Sequence, residues 1–238
     1  MGIVESIKKE LKENADSEKA EFLPIFFKAI PGGYGEGDQF LGVKVPIQRK
    51  IAKKYFKNIS LNELTSLIRS PFHEHRLTAL FILVNKFESE KDELGRENIV
   101  DYYLNNIDCV NNWDLVDSSA YKILGVYLFE KNRDMLYELA SSDNLWEQRI
   151  AIISTRYFIR KEDFNETLNI AEILLQHEHD LIHKAVGWML REVGKKNFDI
   201  EFNFLIKNYK KMPRTMLRYA IEKFEPELRN RFVNYHHL

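Results

Sequence analysis

Each of the chain's three tryptophans has a charged side chain about one helical turn away: Trp113 with Asp117, Trp146 with Arg149, Trp188 with Arg191. On a helix, residues three or four apart share a face. A carboxylate stabilises developing positive charge, aromatic faces attract cations, and guanidiniums hold phosphates. Three aromatic plates, two guanidiniums and one carboxylate therefore suit a nucleic-acid backbone next to a cationic reaction centre. The plainer reading of any single pair is a core tryptophan with a solvated neighbour.

Other groupings offer less chemistry. His177, His179 and His183 have a metal-like spacing, but the first two fall at a helix-to-helix break beside Glu178 and Asp180, so no metal site is expected. His73 and His75 flank Glu74 at a helix start and read as solvated caps. Ser118 and Ser119 lie in no nucleophile elbow and have no visible histidine partner. Residues 32–37 hold four of the ten glycines but lack the Gly-Lys-Ser/Thr end of a phosphate loop, and read as a flexible connector. The final His236-His237-Leu238 carries no argument.

The elements that must position these residues are helical. With only six prolines and ten glycines in 238 residues, long helices are favoured over a sheet-and-turn fold. Amphipathic patterns run from Ile3 to Asn14 and from Glu18 to Ile30, with Asp16 or Ser17 as a cap for the second and Pro24 near its start. Pro46 suits the first turn of the next helix. Beyond Ser60 the helices come in pairs: 60–69 with 74–88, 92–105 with 112–129, 133–140 with 144–160, 162–176 with 180–193, and 198–210 with 214–224. The second member of each carries a small residue among bulky apolar ones: Ala79, Ala120, Ala151, Ala185 and Ala220. Their successive separations are 41, 31, 34 and 35, the scale of two-helix solenoid repeats. Such helices bury an apolar face only by stacking on neighbours, which predicts one continuous, curved all-α array, a single domain over 1–238 whose inner helices line a concave surface.

Composition sets further bounds. A 45% hydrophobic and 30% charged chain is that of a globular protein, not a disordered one. Cys109 is the only cysteine, which excludes an internal disulfide and a thiolate metal cluster. No leader pattern opens the chain and no apolar run reaches about 18 residues, so a cytoplasmic protein without a membrane partner is expected. Net charge is −1, but the charges segregate. Lys44, Arg49, Lys50, Lys53, Lys54 and Lys57 occur between Leu41 and Ile59 with no acid among them, and Leu181 to Phe224 holds ten basic against four acidic residues, Lys184 and Arg214 among the former. That distribution can give a polyanion a positive face, or make a solvated helix face.

With these pieces laid out, the chain resembles the AlkD-like family of DNA alkylation repair enzymes. The matching segments are Gly33-Tyr34-Gly35-Glu36-Gly37-Asp38-Gln39-Phe40-Leu41-Gly42-Val43-Lys44-Val45-Pro46, Trp113-Asp114-Leu115-Val116-Asp117, Trp146-Glu147-Gln148-Arg149-Ile150-Ala151-Ile152 and Lys184-Ala185-Val186-Gly187-Trp188-Met189-Leu190-Arg191-Glu192. They occur in the family's order and spread over about residues 21–225. The resemblance implies a right-handed superhelix of HEAT-like repeats, an α-α solenoid with a concave basic groove. It also implies an enzyme that removes N3- and N7-alkylated purines from duplex DNA by cleaving the N-glycosidic bond, with no metal or cofactor and without flipping the base.

Carried across by position, Asp117 resembles the catalytic carboxylate, and Trp113 and Trp188 the aromatic residues that cradle DNA at the lesion. Arg149 matches an arginine that grips the backbone there, and Arg191 a basic residue of the same groove. Lys44, Arg49, Lys184 and Arg214 are expected to add backbone contacts. A DNA-contacting tyrosine of some members is replaced here by Phe26 or Phe27, and the loop at residues 32–37 is longer than in some. The expected partner is duplex DNA bearing alkylated purines, bound by a monomer in the cytoplasm at the nucleoid. The alternative is a non-catalytic helical-repeat scaffold that binds DNA or protein.

Overall fold

A computed structural model describes residues 2–234; His236, His237 and Leu238 lie outside the described residues. The chain divides into two compact units, Met1–Ser119 and Ala120–Leu238. Both are helical, and no β-strand occurs among the described residues.

The first unit contains α1 (Ile3–Glu13), α2 (Ser17–Phe26), α3 (Val45–Tyr55), α4 (Leu61–Ile68), α5 (His73–Ser89), α6 (Glu93–Leu104) and the start of α7 (Trp113–Leu128). Side chains begin several of these where the sequence offers a cap. Asp16 accepts from the Lys19 amide at the start of α2, Asp92 from Gly95 at α6, and Ser60 and Glu63 form a reciprocal capping box at α4. Pro24 lies near the end of α2, not its start, and α2 buries none of its residues. The central helix is α5, buried continuously from His73 to Val84 and packed on α1, α3, α4 and α6. A helix buried all round needs no amphipathic stripe.

The second unit contains the rest of α7, then α8 (Asp134–Ala140), α9 (Leu145–Ser154), α10 (Arg156–Arg160), α11 (Asn165–Ile173), α12 (Asp180–Lys196), α13 (Phe198–Asn208), α14 (Arg214–Ala220) and α15 (Pro226–Val233). Here α12 is the hub, packed on α9, α10, α11, α13 and α14. Gly187 lets α12 and α14 touch: a Cβ there would lie 2.4 Å from the Met216 carbonyl oxygen. All five small residues of the repeat pattern, Ala79, Ala120, Ala151, Ala185 and Ala220, are fully buried.

Other segments differ from expectation as well. The helix expected over 144–160 breaks at Thr155, whose hydroxyl bonds the Ile152 carbonyl at 2.7 Å, one of the local side-chain bonds that compete with the helical ladder. Beyond Phe224, where the paired pattern stops, Pro226 opens α15 from its first turn. No helix of the described residues is long and apolar enough to cross a membrane.

Candidate active site

Asn112 is fully buried, and its side-chain oxygen accepts from the Trp113 amide where α7 begins. From there Leu115, Val116, Ser119 and Ala120 face the core, which leaves Trp113 and Asp117 half-buried on the other side. Asp117 lies close enough to Tyr103 for its charge to matter. Burial pushes the Tyr103 phenol up, the Asp117 carboxylate pushes it the same way, and the bond to Ser119 at 3.1 Å opposes both.

Trp113 is held from behind. Its ring stacks on Phe27 with centroids 5.4 Å apart, and Phe26 meets it edge-on at 5.9 Å. Phe27 continues the stack to Phe40 at 5.5 Å and to His73 at 4.6 Å. His73 links two carboxylates: Nδ1 meets Asp38 at 3.1 Å and Nε2 meets Asp114 at 2.8 Å, while Arg76 also binds Asp38, at 2.5 Å. Burial alone would keep His73 neutral, but Asp114 first and then Asp38 outweigh it and raise its pKa to about 9. Asp38, opposed by its own burial, is held below the usual carboxylate range by His73 and Arg76. With His73 protonated, two cations face two anions, the condition under which buried charge is tolerated.

The histidines at the start of α5 are therefore not solvated caps. His73 and His75 are 2% and 7% exposed. His75 shares a bond with the Ser70 hydroxyl at 2.8 Å, and burial lowers its pKa to about 4. Glu74 is buried too, accepting from the Leu41 and Gly42 amides at 2.9 and 2.7 Å. The glycine-rich segment is tied down at its far end by these bonds, by Asp38, and by a bridge between Gln39 and Phe72, so it is no free connector. Gly35 is needed where it passes the aromatic stack, since a Cβ would come within 2.6 Å of the Phe27 carbonyl oxygen.

In the second unit, Trp188 is half-buried on α12 and donates Nε1 to Glu192 at 3.2 Å. Arg156 lies over its ring at 5.0 Å and over Tyr121 at 4.8 Å; Arg160 adds a contact to Tyr121 at 5.8 Å. Trp146 is half-buried in the first turn of α9, behind the Asn144 cap. Arg149 is only 4% exposed and donates to the Leu181 carbonyl at the start of α12. Arg191 donates to Glu222 and lies near Glu201, a carboxyl that burial pushes up to about 8. Lys184 pairs with Asp180 at 2.6 Å, and Arg214 donates to the Val233 carbonyl. In the first unit, Lys44 is exposed at the start of α3, and Arg49 covers the Phe81 ring at 4.0 Å. Of the three clustered histidines, His179 caps α12 by accepting from Leu181, and burial lowers the pKa of both His177 and His179.

The family model described as "DNA alkylation repair enzyme" matches residues 7–224. The chain belongs to that family. Among solved structures, the chain is similar to a predicted DNA alkylation repair enzyme from Enterococcus faecalis, with 16% identity and a TM-score of 0.68 over 90% of this chain and 98% of that one. It is also similar to AlkD2 from Streptococcus mutans, with 19% identity and a TM-score of 0.55 over 88% of this chain and 99% of that one. At such identities these likenesses establish the helical-repeat fold. No curated protein matches the chain.

For this DNA alkylation repair family member, Trp113 and Asp117 share one face of α7, as their spacing predicts. Trp188 is half-buried, whereas Arg149 is enclosed and engaged with a backbone carbonyl. The His73 network and the Arg156 stack have no counterpart in the sequence reading. Asp114 is the second residue of the tryptophan motif, yet nothing local marks His73 and Asp38 as its companions. Arg156 and Arg160 were findable as a basic pair at i, i+4 in an otherwise apolar stretch.

Proposed function

We propose that the chain is an alkylpurine DNA glycosylase that hydrolyses the N-glycosidic bond of N3- or N7-alkylated purines in duplex DNA. The observation that carries this reading is the pairing of Trp113 and Asp117, both partly open on one face of α7, in a member of the DNA alkylation repair family. Alkylation at N7 or N3 makes the purine cationic and a good leaving group. The C1′–N9 bond then breaks with its electrons going to the base, and water adds to C1′ as positive charge builds on the sugar. Asp117 stabilises that charge and orients the water, accepting its proton as the new bond forms. Trp113 and Trp188 pack on the deoxyribose as it becomes cationic.

Because the base leaves without being protonated, the reaction needs neither a metal nor a cofactor. Nor need the lesion leave the stack, in contrast to base-flipping enzymes. In this reading one right-handed superhelical domain with a concave basic groove acts as a monomer, in the cytoplasm at the nucleoid. Arg149, Arg191, Lys44, Arg49, Lys184 and Arg214 serve the phosphate backbone, directly or by holding the helices that do.

The alternative, a non-catalytic scaffold, is favoured by the engagement of Arg149 and Arg191 with protein acceptors. Incubation with N7-methylated duplex DNA in excess chelator separates the two. Free 7-methylguanine and matching abasic sites support the glycosylase; tight duplex binding without base release supports the scaffold.

A further inference from the structure

Several cations of the second unit are already engaged by protein acceptors. Arg133 pairs with Asp163 and Glu166, Lys184 with Asp180, Arg191 with Glu222 and Lys195 with Glu192, and Arg149 donates to a carbonyl. Arg156 and Arg160, the two ends of α10, make no ion pair and no hydrogen bond among the described residues. What they have is aromatic: Arg156 lies against both Tyr121 and Trp188, and Arg160 against Tyr121. Glu192, the carboxylate nearest along the Trp188 face, is already engaged by the indole Nε1 and Lys195.

A cation–π contact uses none of a guanidinium's five N–H donors as hydrogen bonds to an acceptor, so they remain available to an anion. Contact with two rings restricts the Arg156 side chain before any anion arrives, so less side-chain freedom is lost on binding. We propose that Arg156 and Arg160 form a phosphodiester clamp for duplex DNA, with the edge of Arg156 gripping a phosphate and Arg160 reinforcing it. The proposal rests on the reading of the chain as a DNA-acting protein and assigns the grip to two arginines that carry no other acidic partner.

The test is affinity for undamaged duplex DNA across a salt series, for wild type, Arg156→Ala, Arg156→Lys, Arg160→Ala and, as an exposed control on α1, Lys12→Ala. Arg156→Ala should weaken binding about tenfold near physiological salt and lower the slope of log affinity against log salt by about one. Arg156→Lys should restore the slope but not the affinity, because an ammonium is a point charge without the planar fork. Arg160→Ala should lower the slope less, and Lys12→Ala not at all. Near-UV circular dichroism checks that the variants fold, and Arg156→Lys carries the test should Arg156→Ala fail to. An unchanged slope and affinity in Arg156→Ala, or an effect equal to that of Lys12→Ala, would overturn the clamp. Since this binding needs no chemistry, the outcomes separate. Duplex binding without base release removes the glycosylase reading alone, and base release with an unaltered Arg156→Ala removes the clamp alone.

Discussion

Two carboxylates three positions apart at the start of α7 have different surroundings. Asp114 meets protonated His73 inside a buried chain of charges, while Asp117 is on the half-open face beside Trp113. The first belongs to the buried charge network behind Trp113; the second is the carboxylate to which the proposed chemistry is assigned, and the two differ by environment. His73→Phe should strand Asp38 and Asp114 without their shared cation and destabilise the protein by about 3 kcal/mol in urea unfolding. The pH dependence has a definite sign. The folded pKa of His73, about 9, exceeds its ordinary 6.5, so its contribution is complete below pH 6.5 and is lost as pH rises through 9. Glu201, raised to about 8, changes with the same sign, so the quantity to follow is the gap between wild type and His73→Phe. That gap should close between pH 6.5 and 9.5; a constant gap would mean that His73 acts through its ring stacking and not its charge.

At the scale of helices, periodicity and caps reveal most of what forms. Asp16, Ser60 and Asp92 mark their helix starts because a side-chain oxygen one or two residues before an apolar pattern can satisfy an orphan amide. The break at Thr155 was not legible, since a hydroxyl amid apolar residues fits a helix interior as readily as its interruption. Close packing was half legible: small residues at repeat spacing were visible, but Gly187, inside the tryptophan motif, gave no sign that α14 presses on it. Gly187→Ala sets a Cβ 2.4 Å from the Met216 carbonyl and 2.5 Å from the Tyr219 Cβ. It should lower stability by about 1–3 kcal/mol through overpacking, seen as a lower thermal midpoint. An unchanged midpoint would show that α14 yields at little cost.

For the molecule as a whole, the all-helical repeat class follows from a repeating distribution of small and bulky residues, because each pair must bury its face on the next. The candidate site was legible only where its parts are local. Trp113 and Asp117 share one helix, so spacing alone relates them. His73 reaches partners 35 and 41 positions away, a proximity that no local pattern encodes. The same holds for Arg156, whose aromatic partners are on α7 and α12.

The central claim is that the Asp117 carboxylate does the chemistry, and a single-turnover assay on 7-methylguanine duplex DNA, wild type beside Asp117→Asn, meets it directly. The amide keeps the size of the side chain but not its charge. Base release should fall by at least about a hundredfold, the lower end of what a catalytic acid–base group contributes, while affinity for the same duplex changes by less than about threefold. Release at the wild-type rate by a folded Asp117→Asn protein would contradict the account.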